Sequence, residues 1–367
     1  MKSTLKKKSI LLVYDDHCFV AQGNIKILSN NYNINSYCSI LYKNNLTPNL
    51  KKNIKFFKYH EGFLYIFLIF KSFKYDYVFI TTGPQNYRST TGILYLLFYL
   101  IFIFFHGKKT FMGIRDNKKY FRGINTNIFN KIQNFIRNKS ISRIKLIFFE
   151  TRTLMKSFKK KFDKKNLNCF VNYPRRFPKN VNKKYKSDIN ILKIGILGML
   201  VDKKKDYNLL INAIKKLSIR QKKKIKLIIL GTVGTVNIDK QNYIIKKLKK
   251  EVKIEYRIGY IPQTKFDEIS SSCHFLISPL KYGYGGFHKG TGSFFDAIAV
   301  KKHLIIPFHA DPHFEFKNFC SYYRDKNSLH LILKKFINHK FRPLSDDIFK
   351  LYNNKEISNE LKNISLE

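Results

Sequence analysis

The chain opens on an unbroken apolar run, Ser9–Tyr14 (SILLVY), that stops at the polar triplet Asp15-Asp16-His17. Such a run predicts a strand buried on both faces, as in parallel sheets, whose carboxyl end opens into a loop. Further strands are expected at Tyr77–Thr81, Thr110–Ile114 and Lys145–Phe149, with a helix over Thr90–Phe105 between the first two. The helix contains the most hydrophobic stretch of the chain, Ile93–Phe105 (ILYLLFYLIFIFF). It is shorter than the roughly 20 residues a bilayer-spanning helix needs, so it reads as a buried helix rather than an interfacial anchor.

Between Asn172 and Asn190 the apolar periodicity stops, and prolines, asparagines and a basic run take over, as in a linker. After it the alternation restarts. Strands are expected at Ile191–Leu197, Ile225–Leu230, Ile254–Ile258, Phe275–Ser278 and His303–Ile306. Helices are expected at Tyr207–Ile219, Tyr243–Lys250, Lys265–Ser271 and Thr291–Val300. Strands interleaved with helices imply βαβ units, hence two doubly wound α/β domains. The expected division is 1–175, a linker over 176–190, a second domain over 191–340 and a helical segment over 341–367. Ligands in such sheets bind at the carboxyl ends of the strands, and with two domains the expected site is the central cleft they face.

Composition sharpens this picture in two respects. With 44% hydrophobic and 16% aromatic residues among 367, the chain has apolar surface enough for two cores, which excludes global disorder. The net charge of +46 favours anionic partners: nucleic acid, anionic headgroups or phosphorylated substrates. The surplus of Lys, Asn, Ile, Phe and Tyr is also what A/T-rich codons encode, and the basic runs, such as Lys203–Lys205 and Lys246–Lys250, are scattered like solvated edges. Five dispersed cysteines without a CxxC pair suit a reducing cytosol, and Ile10–Val13 is too short for the apolar region of a signal peptide. A cytoplasmic chain is expected.

Candidate chemistry sits where strands end. Asp15, Asp16, Asp116, Glu150, Asp202 and Asp311 each follow an expected strand, where an acid either caps the next turn or acts on a ligand. The sharper signal is Tyr282–Asp296 (YGYGGFHKGTGSFFD), five glycines leading from a strand into a helix. Glycines admit close approach of backbone amides, Thr291 and Ser293 can cap or donate, and a helix N-terminus favours an anion, so the segment reads as a phosphate cradle. It is not a Walker A loop, because Lys289 precedes Gly290-Thr291-Gly292 instead of following it. Gly195/Gly198 and Gly231/Gly234 do not complete G-x-G-x-x-G, which argues against a nicotinamide enzyme. His309-Ala-Asp311-Pro-His313 gathers three possible metal ligands, but a proline inside the loop works against converging them on one ion, and no metal is expected. His17 and His106 read as bases or as satisfied structural histidines.

The second half resembles the C-terminal domain of GT-B glycosyltransferases of the glycosyl transferase group 1, or family 4, type. The resemblance rests on ordered features over Ile194–Ile306: a strand into Gly198, Lys205-Asp206 opening a helix, Leu227–Gly231 (LIILG), and Ile258-Gly259-Tyr260-Ile261-Pro262. Ser278-Pro279, the glycine loop and Asp296-Ala297-Ile298-Ala299 before strand Leu304–Ile306 complete it. The resemblance implies that Asp296 binds the ribose of a nucleotide and that Gly290, Thr291, Gly292 and Ser293 hold a diphosphate and sugar, with His288 and Lys289 beside them. The family's basic pair falls on Met199 and on Lys204 or Lys205, so one lysine must serve, and His288 stands where the family has a glutamate. Acceptor-side catalytic candidates are Asp16, His17, Arg115 and Asp116, with Asp15 and Glu150 nearby in the pattern.

The implied function is transfer of a sugar from a nucleotide diphosphate sugar, with retention and without a cofactor or metal, to a glycan or polyprenyl-linked acceptor in bacterial surface polysaccharide or lipopolysaccharide synthesis. The partners implied are the nucleotide sugar, the acceptor and an anionic membrane at the cytoplasmic face, with no specific nucleic acid. Two rivals are a basic nucleic-acid-binding protein, against which stands the lack of any helix-turn-helix, zinc-finger or RNP signature, and a GT-B scaffold without activity.

Overall fold

The structure, a computed structural model, describes residues 7–14, 18–39, 54–57, 61–81, 83, 90–117, 128–162, 166–172, 191–200, 203–234, 237–287, 289–338 and 344–366. The chain forms two compact units: Met1–Arg176 with His288–Gly290 and Asn354–Glu367, and Phe177–Phe287 with Thr291–Asn353. The expected linker 176–190 lies outside the described residues.

Unit 1 carries seven strands: β1 (Ser9–Tyr14), β2 (Asn33–Ser39), β3 (Ile54–Phe57), β4 (Tyr77–Ile80), β5 (Thr110–Ile114), β6 (Leu146–Phe149) and β7 (Cys169–Val171). All pair in parallel in the order β3-β2-β1-β4-β5-β6-β7, with Leu11 facing Asn35 on one side and Val78 on the other. Its helices are α1 (Cys18–Leu28), α2 (Glu61–Lys71), α3 (Thr90–His106), α4 (Ile128–Ile141) and α5 (Arg152–Lys161). Alternation along the strands divides the sheet into an aromatic and a mainly aliphatic face. Tyr77, Phe79, Phe111, Phe148 and Phe170 line the first, with Tyr77 stacked on Phe111 at 5.0 Å and Phe79 tilted on Phe148 at 4.7 Å. On the second, Leu11, Val13, Val78, Ile80, Met112 and Ile147 pack with Leu64 and Leu68 of α2 and Leu96, Tyr99 and Phe102 of α3. The expected buried helix is therefore buried along one side only, because Leu94, Leu97, Ile101, Phe104 and Phe105 of α3 stay exposed.

Unit 2 repeats the topology with six strands: β8 (Leu192–Leu197), β9 (Ile225–Leu230), β10 (Lys253–Glu255), β11 (Phe275–Ile277), β12 (His303–Pro307) and β13 (Cys320–Tyr323). Their order is β10-β9-β8-β11-β12-β13, again all parallel. The helices are α6 (Tyr207–Lys215), α7 (Ile219–Lys223), α8 (Ile238–Glu251), α9 (Gln263–Ser272), α10 (Gly292–Val300) and α11 (Lys326–Asn338). The single helix expected over Tyr207–Ile219 ends at Lys215, because Ser218 starts α7 with a reciprocal cap to Gln221. The strand expected to run to Ile258 stops at Glu255, and α8 begins at Ile238, five residues before the expected Tyr243. The stretch 344–353 stays in unit 2, where Phe349 and Tyr352 pack on Phe319. The last helix, α12 (Asn354–Leu366), belongs to unit 1, where Ser358 donates to the Ile27 carbonyl and accepts from the Asn31 amide.

The aromatic face makes one testable demand. Phe111 is fully buried among Tyr32, Tyr77, Phe79 and Phe148. Phe111→Ala should destabilise unit 1 by about 3–5 kcal/mol in urea unfolding, whereas Phe70→Ala, at an exposed position of α2, should cost well under about 1 kcal/mol.

Candidate functional site

In each sheet the strand order reverses once, between β1 and β4 and between β8 and β11. Loops diverge at that point and leave a crevice at the carboxyl ends of the two strands, where ligands bind in open parallel sheets. In unit 2 the residues just past β8 and β11 are Gly198 and Ser278. Between them lies the buried amine of Lys205.

Chain geometry places that amine. Gly198 has φ +83°, and a Cβ there would sit 3.3 Å from Lys205 Nζ, so glycine both permits the left-handed turn and leaves room for the lysine. Residues 204–206 are strapped to 279–281: Lys281 N–H donates to the Lys204 carbonyl (3.0 Å) and Asp206 N–H to the Pro279 carbonyl (2.6 Å). Asp206 then turns the chain into α6 by accepting from Leu209 N–H (2.9 Å). Held in this way, Lys205 Nζ donates to Ser278 Oγ at 2.6 Å, and Ser293 Oγ donates to the same oxygen at 2.7 Å. Thr291 Oγ1 lies 3.2 Å from Ser293 Oγ and accepts from Ser293 N–H, capping α10.

These contacts join Lys205, Ser278, Thr291 and Ser293 at the N-terminus of a nine-residue helix. First-turn amides of a helix have no partners within it and carry positive potential, which suits an anion. Burial pushes the Lys205 amine down to about 7, with Asp296 pulling it back up and Lys204 adding to the depression. An anion seated here would supply the charge that burial lacks and would hold the amine protonated. Asp296, half-buried in the second turn of α10, completes the group, while Lys204 is exposed.

The glycine loop has its own structural duties. Gly283, Gly285 and Gly286 all have positive φ, and a Cβ at Gly286 would collide with the His309 carbonyl. Part of the glycine density therefore serves loop packing on the turn Phe308–Ala310, where Gly286 N–H donates to the Ala310 carbonyl (3.0 Å). Lys289 and Gly290 are placed in unit 1 by their contacts. There Gly290 N–H donates to the Arg115 carbonyl (3.0 Å), Lys289 faces Asp116 at 3.5 Å, and Arg115 Nε pairs with Glu150 Oε1 at 2.5 Å. A Cβ at Gly290 would overlap the Glu150 carboxylate, so a larger residue there would have to displace that side chain from Arg115. Arg115 and Asp116 thus lie together past β5, each beside an opposite charge. Asp15, Asp16 and His17, which follow β1, lie outside the described residues, as do Asp202 and His288.

Other candidates have structural work. Asp311 is buried and accepts from Glu315 N–H, Phe316 N–H and the Tyr322 hydroxyl, so it closes a turn; among the described residues no His, Cys, Asp and Glu group has a metal-holding arrangement. His309 Nε2 donates to the Lys281 carbonyl (3.0 Å), and burial pushes its ring below the usual histidine range. His106 bonds the Ile69 carbonyl in the same manner. A hollow of about 790 Å³ lined by Lys222, Lys223, Lys249, Lys250 and Lys253 lies by the amino ends of β9 and β10, away from the strand ends that hold ligands in such sheets. Sequence patterning missed Ser278 as a site residue; its signal was its position, first past the strand where the order reverses.

The two repeated sheets define a GT-B fold. The chain is similar over 97% of its length, and 98% of that chain, to the Anabaena HepE protein crystallised with UDP, at TM-score 0.65 and 13% identity. It is similar over 98% of both chains to a sucrose-phosphate synthase from Thermosynechococcus elongatus, at TM-score 0.64 and 10% identity. Over 98% of this chain and 95% of the other it is similar to a UDP-N-acetylglucosamine 2-epimerase homologue from Listeria monocytogenes, at TM-score 0.54 and 9% identity. No protein-family model and no curated protein matches the sequence.

The buried lysine yields a signed prediction. Its folded pKa of about 7 lies below the ordinary 10.5, so the unfolded chain binds more protons between those values. The penalty of burying the charge is complete below pH about 7 and fades as pH rises towards about 10.5. Lys205→Met should therefore melt above wild type at pH 6 by scanning calorimetry, with the gap narrowing at pH 9; a gap independent of pH would contradict the assignment.

Proposed function

We propose that the protein is a glycosyltransferase whose unit 2 holds a nucleotide diphosphate sugar. The observation that carries the reading is the Lys205–Ser278–Ser293 cluster at the head of α10, set where the strand order reverses. The fold is shared with solved proteins including one crystallised with UDP, which supports a nucleotide as the ligand. In this reading the diphosphate lies against the α10 amides, Thr291, Ser293 and Lys205, and Asp296 accepts from the ribose hydroxyls.

The chemistry follows from charge. Breaking the glycosidic bond transfers negative charge to the leaving diphosphate, and fixed amides and a lysine that gains its proton stabilise that charge more than the ground state. As the family resemblance implies, the transfer in this reading proceeds with retention and without a metal or cofactor. Lys205 takes the role shared by a basic pair in the resembled family, because Met199 occupies the other position. Arg115, Asp116, Asp15, Asp16 and His17 are the acceptor-side candidates, with a glycan or polyprenyl-linked alcohol as acceptor in surface polysaccharide synthesis.

Thermal shift against a panel of nucleotide diphosphates, their sugars and a DNA duplex at elevated salt tests the reading. One nucleotide series should raise Tm by about 5–10 °C at a hundredfold excess over Kd, and Asp296→Ala should abolish the shift. Wild type should then release the nucleotide diphosphate from that sugar donor when glycan acceptors are added. A shift with DNA alone would overturn the reading in favour of nucleic-acid binding; isomerisation of the bound sugar without nucleotide release would replace transfer by epimerisation.

A further inference from the structure

Helix α3 is apolar all round: TTGILYLLFYLIFIFFH carries no charge before His106. One side is accounted for by the core, through Leu96, Tyr99, Phe102 and Ile103. The opposite side repeats at helical spacing, Leu94, Leu97, Ile101, Phe104, and stays exposed, with Phe104 at 62%. The twelve residues from Leu94 to Phe105 make a stripe about 17 Å long. Neighbouring elements extend it: Phe73 follows α2 and stacks edge-on against His106 at 4.6 Å, and Phe135 projects from α4, each more than half exposed. A soluble surface does not normally leave so large an apolar patch uncovered.

The charge around the stripe says what covers it. Lys74, Lys108, Lys131, Lys139 and Arg143 on, between and just after these helices are all exposed, and the sequences of α3 and α4 contain no acid; the exposed acid between α2 and α3, Asp76, accepts from the Ser9 amide and hydroxyl. Arg143 lies over the Phe104 ring at 4.7 Å and Lys139 over Phe135 at 5.7 Å, so cations rim the apolar residues directly. A second copy related by a two-fold axis would set these like charges against one another with no acid from α3 or α4 to offset them. A bilayer interface offers acyl chains for the stripe and anionic headgroups for its rim. No described helix is long and apolar enough to cross a membrane, so α3 would lie in the interface, not span it.

We propose that the α2–α3–α4 face of unit 1 docks on anionic membrane, with α3 seated along the headgroup boundary. This is independent of the donor reading: vesicle binding reports on unit 1, nucleotide binding on unit 2, and either can fail alone.

Sedimentation of the full chain with vesicles of phosphatidylglycerol and phosphatidylcholine at about 3:7 tests it, with phosphatidylcholine vesicles as the neutral control. The wild type should bind the anionic vesicles, weaken with salt and ignore the neutral ones. Leu97→Ser/Ile101→Ser/Phe104→Ser should lower the partition coefficient at least about tenfold, as should Lys108→Glu/Lys139→Glu. Leu331→Ser, at an exposed apolar position of α11 in unit 2, should leave it unchanged, and all variants should keep the wild-type melting temperature. Absence of wild-type binding, or equal losses in Leu331→Ser, would overturn the proposal. So would a vesicle-indifferent dimer that the triple variant converts to monomer, since the face would then be covered by a second copy.

Discussion

One buried amine organises the carboxyl end of the unit 2 sheet. Lys205 has been taken out of water and given a serine hydroxyl in place of a counter-carboxylate, with Asp296 acting only at a distance. Desolvating a cation without an ion-pair partner is costly, and the depressed pKa expresses that cost. Everything around the amine fits its presence: the left-handed Gly198, the strap between 204–206 and 279–281, and the serine pair that links the lysine to the head of α10. Such a local sacrifice of stability is what a preformed site for an anion requires, since the ligand supplies the missing charge on arrival.

The two units share a topology but differ in how they treat charge at their strand ends. In unit 1 Arg115 is matched by Glu150 and Asp116 by Lys289, so neighbouring charges compensate one another. In unit 2 the lysine is left with neutral hydroxyls. Unit 1 is the more aromatic of the two cores, and its third helix has apolar residues beyond what its core uses.

Much of the fold was legible because parallel strands buried on both faces leave continuous apolar runs. SILLVY, TFMGI and IKLIIL are unmistakable, and each is a strand within a residue of its expected limits. Strands β2 and β3 escaped because they lie towards the edge: NINSYCS is mostly polar with no continuous apolar run, and IKFF is only four residues long. The α6–α7 break was written in a capping box, Ser218 to Gln221, that a smooth apolar periodicity hid. For the candidate site, the glycine run leads into the helix whose head meets Lys205 and Ser278, yet some of its glycines serve backbone turns and Gly290 serves a close approach in unit 1. Ser278 could not be found by residue type, because a serine after a strand is commonplace; only the strand order gives it meaning.

An anion bound at the head of α10 should restore the charge of Lys205. Calorimetric titration of wild type with a nucleotide diphosphate sugar, whose diphosphate diester does not titrate, in buffers of differing ionisation enthalpy at pH 8 reads that change. With a free pKa of about 7 the amine is mostly neutral there, so binding should take up about one proton. The uptake should vanish at pH 6 and in Lys205→Met. Tight binding with no proton uptake at pH 8, or uptake that survives in Lys205→Met, would contradict the account.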